Sequence, residues 1–432
     1  MRVLVVGGGG REHALVWKLS QSPAVEEVLA CPGNPGIASL ARCVSVAGSD
    51  VDETTALAVR ENVDLVVIGP EVPLALGLAD RLQARGVRSF GPMAASARIE
   101  SSKAFAKEFM ARHGIATAPF KITDSPEEAF SAVEKWKLPV VVKADGLAAG
   151  KGTVVCHTRD EATEAVRSIM VLKRFGDAGD RVVIEDCLEG EEASVLTLVG
   201  PGGHVTLPAS QDYKRVYDGD RGPNTGGMGA LCPLRIVDER LRNEIEAKII
   251  LPALEGLEAE DLPFVGVLYS GLMLTEEGPR VMEFNCRMGD PESQAVLPAL
   301  EGDLASVMYR LACGEGVEAD ELKWSGRYTL CTVMSSRGYP ASSEKGVSIR
   351  GIEEAESMED VLVFHAGTRL GVNGRPETAG GRVLGVTGLG ADLGRARAVC
   401  HSAISLIGFE GAHYRKDIGE RWLQPAGKGE NS

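Results

Sequence analysis

The sequence predicts a multidomain protein that combines α/β and α+β architecture. At 432 residues the chain is long enough for two to four domains. Apolar runs alternate with helical stretches over the first hundred residues, which indicates a doubly wound parallel sheet. Further along, two apolar runs joined by a short turn, Gly266–Leu274 and Arg280–Arg287, predict a hairpin and hence an antiparallel region.

We expect the first domain at residues 1–102. Its predicted strands are 2–6, 25–30, 44–46 and 64–68, and its predicted helices are 11–19, 52–61 and 74–85. The second domain is expected at 103–325 and opens with a helix at 101–113. It contains a smaller α+β subdomain at about 118–188, with strands at 121–123, 140–143, 153–156 and 182–185 and a helix at 159–170. A third domain is expected at 326–432, with strands at 328–334, 361–364 and 382–389, a helix at 393–406 and a frayed tail at 425–432.

The composition excludes several classes of protein. A net charge of −15 argues against nucleic acid as the main partner, because phosphate contacts need an excess of lysine and arginine. No apolar stretch approaches the ~20 residues of a membrane span. The nine cysteines are odd in number and form no CxxC pair, which indicates reduced thiols and a cytoplasmic location. The seven histidines show no ligand spacing, so a histidine-built metal site is not expected.

The four glycines at 7–10 follow the first strand, yet they do not form a dinucleotide-binding fingerprint. The third glycine that this fingerprint requires falls on Glu12 or His13. A glycine turn at a helix N-terminus can still hold an anion, here with Arg11 beside it. A phosphate on a small substrate fits this turn as well as a nucleotide does, and a tight turn without a ligand is the alternative.

A second glycine-rich loop, KADGLAAGKG at 143–152, also follows a strand. It lacks the spacing of a Walker A loop and the Ser or Thr that ends one. Lys143 at the end of the strand and Lys151 within the loop both suit nucleotide phosphates. The alternative is a solvated turn that carries surface lysines.

Alternation along 281–287 places Glu283, Asn285 and Arg287 on one face of a strand. The intervening residues, Met282 among them, are expected in the core. A carboxylate and an amide oxygen two residues apart suit Mg²⁺. Arg287 can neutralise a transferring phosphoryl group or bind a carboxylate through two hydrogen bonds. The alternative is a half-exposed strand with a polar outer face.

Two further segments combine charge with glycine. The strand at 182–185 runs into an acidic linker that ends near residue 192. Such a linker can meet an adenine through its backbone and a ribose through a carboxylate, although an ordinary acidic turn is the alternative. Residues 210–215 precede a glycine-rich stretch at 223–229, which permits a ligand close to the backbone; a surface loop is the competing interpretation.

Together these segments resemble one family closely. The motifs are VVGGGGREHAL, GPE, SSKAF, KADGLAAGKG, EDCLEGEEAS, SQDYKR, GPNTGGMGA, EFNCRMGDPE, FHAGT and GGRVL, in order from Met1 to Ile418. The sequence is similar to phosphoribosylamine–glycine ligase, also called glycinamide ribonucleotide synthetase. The resemblance implies an ATP-grasp fold with an N-terminal substrate domain, a lid subdomain and a C-terminal domain. It implies the joining of glycine to 5-phosphoribosylamine through a glycyl phosphate, with ATP consumed, in purine synthesis.

The resemblance also implies roles for individual residues. The ATP contacts would be Lys103, Lys143, Lys151, Gly152, Glu185, Leu188 and Glu192. Glu283 and Asn285 would bind Mg²⁺ or Mn²⁺, and the catalytic groups would be Arg287, Lys143 and Asp212. The substrate contacts would be Gly9, Gly10, Arg11, Glu71, Asp212, Lys214 and Gly227. We expect a cytoplasmic monomer with small-molecule partners and with neither nucleic-acid nor membrane partners.

Three alternatives compete with this interpretation. Another ATP-grasp carboxylate–amine ligase is the nearest, and a biotin carboxylase would need bicarbonate and biotin sites. A dinucleotide-binding oxidoreductase is disfavoured by the failed fingerprint and by the polar face of strand 281–287. A catalytically inactive regulatory or scaffold protein is disfavoured by the intact candidate phosphate and metal sites.

Overall fold

A computed structural model describes residues 1–147 and 152–423 of the chain. Within these ranges, four sheets of four or five strands form the framework and three two-stranded ribbons accompany them. In this described part, no helix has both the length and the apolar character that a membrane crossing needs. All nine cysteines are free, as the sequence predicts.

The N-terminal region contains an all-parallel sheet with strand order β3-β2-β1-β4-β5, which confirms the predicted doubly wound sheet. Its strands are β1 (Arg2–Gly7), β2 (Glu27–Pro32), β3 (Arg42–Cys43), β4 (Leu65–Ile68) and β5 (Arg88–Phe90). Its helices are α1 (Gly10–Leu19), α2 (Val51–Arg60), α3 (Glu71–Ala75), α4 (Leu78–Ala84) and α5 (Ala94–Ser101). The strand order reverses between β1 and β4, so the carboxyl ends of these two strands open a crevice.

Three elements of this region differ from the prediction. The second strand begins and ends two residues later than expected. The third strand is Arg42–Cys43 and not 44–46, because the amide of Val46 bonds to the carbonyl of Val44 at 2.8 Å and turns the chain. The helix predicted at 74–85 is divided into α3 and α4 by Gly77, whose φ of 79° lies in the left-handed region.

The predicted lid subdomain is an antiparallel sheet with its own core. Helix α6 (Lys103–Arg112) leads into β6 (Phe120–Thr123), α7 (Pro126–Lys135), β7 (Val140–Ala144), β8 (Thr153–Cys156), α8 (Arg159–Val166) and β9 (Val182–Asp186). The strand order is β6-β9-β7-β8. Val142 and Ile184 pack against helix residues such as Val133 and Val166, in a cluster separate from the two larger cores.

The central region contributes strands to two of the larger sheets and forms two of the two-stranded ribbons. Its elements are β10 (Glu191–Gly200), β11 (Gly203–Thr206), β12 (Gln211–Asp212), β13 (Arg215–Tyr217), β14 (Arg221–Asn224), β15 (Gly229–Cys232), α9 (Glu239–Ile245), α10 (Leu251–Ala259), β16 (Gly266–Thr275), β17 (Gly278–Asn285), α11 (Glu292–Val296), β18 (Leu300–Glu301), α12 (Leu304–Cys313) and β19 (Lys323–Trp324). Strands β11-β10-β16-β17 form one antiparallel sheet, and β16 with β17 is the predicted hairpin.

The prediction that Met282 lies in the core is wrong. A register shift in the β16–β17 pair places Glu283 opposite Gly271 and Val281 opposite Leu272. Met282 is therefore an extra residue in its strand, and such a bulge interrupts the alternation of faces. Val281 and Phe284 are buried in the core, whereas Met282 lines a cavity.

The C-terminal region completes the antiparallel sheet that includes β12 and β15. Its elements are β20 (Tyr328–Ser335), α13 (Ile352–Glu356), β21 (Val361–His365), β22 (Thr368–Leu370), β23 (Pro376–Thr378), β24 (Arg382–Gly390) and α14 (Leu393–Ile404). The sheet order β12-β15-β20-β24-β21 joins strands from both sides of residue 325. This pairing fixes the C-terminal strands beside the segments 211–212 and 229–232, so residues such as Arg382 reach the centre of the molecule. The tail at 425–432, which we expected to fray, lies outside the described residues.

Candidate active site

A cavity of about 600 Å³ lies between the four sheets. The sheets, or the turns that follow their strands, all contribute to its wall. Most of the predicted site residues line it: Arg11, Glu71, Lys103, Lys143, Gly152, Glu185, Leu188, Glu192, Asp212, Lys214, Glu283, Asn285 and Arg287. Residues from the whole length of the chain thus converge on one place, which is typical of an active site.

The end of strand β17 presents Glu283 and Asn285 to this cavity. Burial acts to raise the pKa of Glu283, but the positive charges of Lys214, Lys143 and neighbouring cations outweigh it and hold the pKa below its ordinary value. Glu283 is therefore a carboxylate at neutral pH. The bulge at Met282 leaves Glu283 and Asn285 on the same face of the strand.

These two residues fit a hard divalent cation that is shared with phosphate. Among the residues that the structure describes, no group of three or more His, Cys, Asp or Glu side chains is arranged to hold a metal ion. A carboxylate and an amide oxygen would leave the remaining positions to phosphate oxygens and water. Mg²⁺ is bound in proteins in this way, through few protein ligands.

Arg287, just beyond β17, is held by carboxylates from the N-terminal region. Its Nη2 lies 3.1 Å from Glu100 Oε1, and its Nε lies 3.6 Å from Glu71 Oε2. Burial opposes the charge of Arg287, but Glu100 and Glu71 outweigh it, so the pKa of the guanidinium is raised. Burial likewise acts to raise the pKa of Glu71, and Arg287 and Arg11 together lower it below its ordinary value. The guanidinium is therefore fixed at the junction of two domains.

Lysines from the lid and from helix α6 form a second charged group. Lys143 Nζ lies 2.5 Å from Glu185 Oε1 and donates to the carbonyl of Met282 at 3.1 Å. Lys103 Nζ donates to the carbonyl of Gly146 at 3.1 Å. Burial lowers the pKa of Lys103, although the charge of Glu283 partly opposes this. Both lysines lie in the cavity wall, and Lys143 is only 6% exposed, so a phosphate would meet its charge with little screening.

Asp212 and Lys214 lie on the opposite wall, at the end of β12. Lys214 Nζ is 2.7 Å from Glu192 Oε2 and 3.7 Å from Asp212 Oδ1. Burial raises the pKa of Asp212 to about 7, with a contribution from the negative charges of Glu292 and Glu192 that Lys214 partly offsets. A carboxyl group with this pKa can exchange a proton near neutral pH.

The glycine turn at the end of β1 is tightly occupied by its own chain. The amide of Gly9 donates to Glu12 Oε2 at 2.6 Å, and Arg11 Nε lies 2.6 Å from Glu12 Oε1. A Cβ on Gly10 would lie 2.5 Å from Gln294 Nε2, so a side chain there would displace the amide of Gln294. The turn therefore packs directly against the segment that follows Arg287.

Arg382, the first residue of β24, joins this segment to the glycine-rich stretch at 223–229. Its Nη2 lies 2.9 Å from Asp290 Oδ2, and its Nη1 donates to the carbonyls of Asp290 (2.7 Å) and Gly226. Burial acts to raise the pKa of Asp290, but Arg382 and Arg11 lower it below its ordinary value. The C-terminal region thus supplies a charged group to the cavity.

Four predicted site residues do not lie in the described cavity wall. Arg11 lines the cavity but Gly9 and Gly10 do not, and the amide of Gly227 bonds to Thr225 Oγ1 at 2.9 Å, while Gly226 reaches the cavity instead. Lys151 lies outside the described residues. The roles expected for these four residues stay predictions.

The cavity also contains charged or polar residues that the sequence patterns did not indicate. Tyr269 donates to Glu292 Oε1 at 2.8 Å and contacts Ser194 Oγ at 2.9 Å, a buried network at the cavity wall. The residues missed are Glu100, Lys107, Tyr269, Asp290, Glu292 and Arg382. Asp290 and Glu292 lie in the motif GDPE shortly after Arg287, so their closeness to Arg287 in the sequence could have indicated them as site residues.

Models of three domains of one family match the chain in order. The phosphoribosylglycinamide synthetase N domain matches residues 1–100, the ATP-grasp (A) domain matches 101–293, and the C domain matches 329–421. A relative from Ralstonia nicotianae named phosphoribosylamine–glycine ligase is 47% identical over 425 residues, which cover 98% of this chain and 100% of the relative.

Solved structures give the same result at the level of the fold. The crystal structure of a phosphoribosylamine–glycine ligase from Thermotoga maritima has a TM-score of 0.83 and 34% identity, and the match covers 97% of this chain and 100% of that one. A biotin carboxylase from Campylobacter jejuni has a TM-score of 0.73 at 13% identity, covering 98% and 95% of the two chains. At that identity the likeness shows the fold alone.

Proposed function

The chain belongs to the phosphoribosylglycinamide synthetase family, and on this premise we propose how its cavity joins glycine to 5-phosphoribosylamine with ATP. The products are glycinamide ribonucleotide, ADP and phosphate, in purine biosynthesis. One observation carries the proposal. A single cavity connects buried lysines, the Glu283–Asn285 pair and Arg287 to the carboxyl end of the N-terminal parallel sheet.

ATP would lie between the lid sheet and strand β17. Its phosphates would meet Lys103 and Lys143, together with Lys151 and Gly152 from the loop after β7. Its adenine would lie against Leu188 and the segment that begins at Glu185, and its ribose would meet Glu192. The lining of the cavity supports this arrangement, because it includes Lys103, Lys143, Gly152, Glu185, Leu188 and Glu192.

Glu283 and Asn285 would hold Mg²⁺ or Mn²⁺ beside the phosphates. A divalent cation, when bound, withdraws charge from phosphoryl oxygens and so assists their transfer. The low pKa of Glu283 supports this role, since a metal ligand must be deprotonated at the working pH.

We propose two chemical steps. A carboxylate oxygen of glycine attacks the γ-phosphorus of ATP, the bond from that phosphorus to the bridging oxygen breaks, and ADP leaves. The amine nitrogen of phosphoribosylamine then attacks the carbonyl carbon of glycyl phosphate. The carbon–oxygen bond breaks, phosphate leaves with an oxygen that came from glycine, and the nitrogen loses a proton.

Arg287 and Asp212 would act directly on these steps. Arg287 is fixed at the metal end of the cavity, where its charge would stabilise the transferring phosphoryl group. Removing such a group costs about 3 kcal/mol, or on the order of 10² in rate. Asp212, whose pKa is raised to about 7, would accept the proton that the attacking amine loses.

Phosphoribosylamine would bind at the crevice between β1 and β4. Its phosphate would lie near Gly9, Gly10 and Arg11, and Glu71 follows β4 at the same edge of the sheet. Asp212 and Lys214 would face its amine from the other side, while the contact expected of Gly227 stays a prediction because Gly226 lines the cavity in its place. Ligands of doubly wound sheets bind at this switch point in the strand order, which supports the assignment.

The lid subdomain would keep water away from glycyl phosphate, which hydrolyses readily. Its sheet carries Lys143 and Glu185 and therefore covers one side of the cavity. The loop that we expect to close includes residues 148–151, which lie outside the described residues. Shortening this loop at 150–152 is expected to release ADP without product formation.

The test measures ADP release while each component is omitted in turn. ADP should appear only when ATP, the divalent cation, glycine and phosphoribosylamine are all present. Equal ADP release with a different amine acceptor would contradict the assignment and favour another carboxylate–amine ligase of the same fold. The expected monomeric state stays a prediction, which sedimentation of the purified chain would test.

A further inference from the structure

Lys107 lies in the cavity wall, although no step described above uses it. It belongs to helix α6, and its side chain is only 2% exposed. Its Nζ lies 2.5 Å from Glu185 Oε2 and donates to Thr117 Oγ1 at 2.5 Å. Thr117 in turn donates to the carbonyl of Val281 at 2.6 Å, so the ammonium group is anchored to strand β17.

Glu185 is therefore shared between two lysines. Lys143 lies 2.5 Å from Oε1, and Lys107 lies 2.5 Å from Oε2. The Glu185 side chain is 5% exposed and that of Lys143 is 7% exposed, so water screens these charges weakly. Two ammonium groups around one carboxylate leave a net charge of about +1 in this group at neutral pH.

The position of each lysine determines where that positive charge is available. Lys107 donates a hydrogen bond to Thr117 and forms an ion pair with Glu185, whereas Lys143 donates to the carbonyl of Met282 and forms an ion pair with the other oxygen of Glu185. Lys143 is at the end of β7, where the glycine-rich loop begins, and Lys107 lies on the opposite side of Glu185. If Lys107 were absent, Lys143 and Glu185 would form a neutral pair.

We propose that Lys107 is a positioning residue for the nucleotide, because it balances the charge of Glu185 and so leaves the charge of Lys143 available to the ATP phosphates. This inference rests on the proposed binding of ATP in the cavity. Because the proposed effect of Lys107 depends on the charge of Glu185, a double-substitution cycle can distinguish it from a purely structural role of Lys107. Removing Glu185 along with Lys107 removes the charge that would otherwise neutralise Lys143.

The experiment measures the dissociation constant of the imido analogue of ATP by calorimetry with the full-length protein. Lys107→Met is expected to weaken binding about 10- to 100-fold, as for truncation of one partner of a buried charged pair. In a Glu185→Gln background, the same Lys107→Met change should weaken binding less than about threefold. An equal loss in both backgrounds would overturn the proposal, because Lys107 would then act independently of Glu185.

Two controls complete the test. Lys18→Met removes another buried lysine, whose Nζ donates to the carbonyl of Leu300 at 2.6 Å outside the cavity, and it should leave the dissociation constant unchanged. Lys107→Arg retains the charge and should recover most of the affinity. A Lys107→Arg protein that melts like the wild type and binds as weakly as Lys107→Met would overturn the proposal.

A third measurement, the binding of adenosine, distinguishes an effect of Lys107 on the ATP phosphates from an effect on the base pocket. Adenosine carries no phosphate, so Lys107→Met should change its binding less than threefold. An equal loss for adenosine and for the ATP analogue would overturn the proposal, because Lys107 would then shape the base pocket. Failure of the proposed function itself would look different: the wild-type protein would bind the nucleotide but release no ADP in response to glycine and phosphoribosylamine.

Discussion

Glu100 provides the sharpest prediction about turnover, because it connects Arg287 to the N-terminal domain. Its carboxylate is buried, and one of its oxygens lies 3.1 Å from Arg287 Nη2. The other oxygen accepts from the backbone amide of Cys286 at 2.8 Å. The substitution Glu100→Gln keeps the size of the side chain and one carbonyl oxygen but removes the charge.

The magnitude follows from the geometry of the pair. At 3.1 Å and an effective dielectric constant of about 20, the attraction between the two charges is about 5 kcal/mol before the cost of removing them from water. Desolvation offsets much of this gain, and glutamine retains a hydrogen bond. A net loss of about 1.4–2.8 kcal/mol in the transition state corresponds to a 10- to 100-fold lower kcat.

The assay is steady-state ADP release at saturating substrates. The KM for ATP should change less than about threefold, because the contacts of Lys143 do not include Glu100. The matched control is Glu260→Gln, which loses a carboxylate paired with Arg112 at 2.8 Å on the surface, and kcat should stay within about twofold. An unchanged kcat in a folded Glu100→Gln protein would show that Arg287 does not need the charge of Glu100 for turnover.

Three further predictions concern pH, metal and packing. Burial raises the pKa of Asp212 to about 7, so its protonated carboxyl stabilises the folded protein below about pH 4, and this stabilisation is lost as pH rises through 7. The substitution Asp212→Asn should therefore remove about 2 kcal/mol of the fall in unfolding free energy between pH 5 and 8. An undiminished fall in urea titrations would contradict this. Glu283→Gln should raise the Mg²⁺ concentration for half-maximal activity at least about tenfold with little change in Tm, whereas an unshifted Mg²⁺ titration would disprove the metal role. Gly227 has φ 111°, and a Cβ there would lie 2.3 Å from Pro291 Cδ, whereas a Cβ on Gly86 would meet open space. In urea unfolding, Gly227→Ala should lower the free energy of unfolding by about 3 kcal/mol and Gly86→Ala by about 1 kcal/mol. Equal losses would show that Pro291 does not restrict this position.

Local patterns were sufficient to predict many of the residues that line the cavity. Glu283, Asn285 and Arg287 were predicted to share one face because alternation along a strand is a local rule, and a strand is present there at Gly278–Asn285, two residues earlier than predicted. Lys143 was found because it ends an apolar strand before a glycine-rich loop. Each of these residues carries its chemistry within a few positions of a recognisable turn or strand.

Residues that act through distant contacts gave no such signal. Glu100 and Lys107 lie on helices that contain ordinary charged residues, and their burial comes from pairing with strands far along the chain. Glu100 bonds to Cys286, which is 186 residues away. The bulge at Met282 is likewise set by the register of β16 against β17, which the composition of either strand does not determine.

The joining of the C-terminal strands to the central region is a further result of tertiary structure. Strands β12 and β15 pair into the sheet that contains β20, β24 and β21. Two-residue strands such as Gln211–Asp212 are too short for a periodic pattern. Because of this pairing, Arg382 reaches Asp290, a contact that the spacing of the two residues does not predict.

The formation of glycyl phosphate is tested most directly by measuring where the carboxylate oxygens of glycine appear in the products. If glycine is phosphorylated before the amine attacks, phosphate must leave with one oxygen from the glycine carboxylate. Glycine labelled with ¹⁸O in both carboxylate oxygens should therefore give inorganic phosphate that contains one ¹⁸O atom, as measured by mass spectrometry. Phosphate without the label would show that glycine is not activated as an acyl phosphate in this cavity.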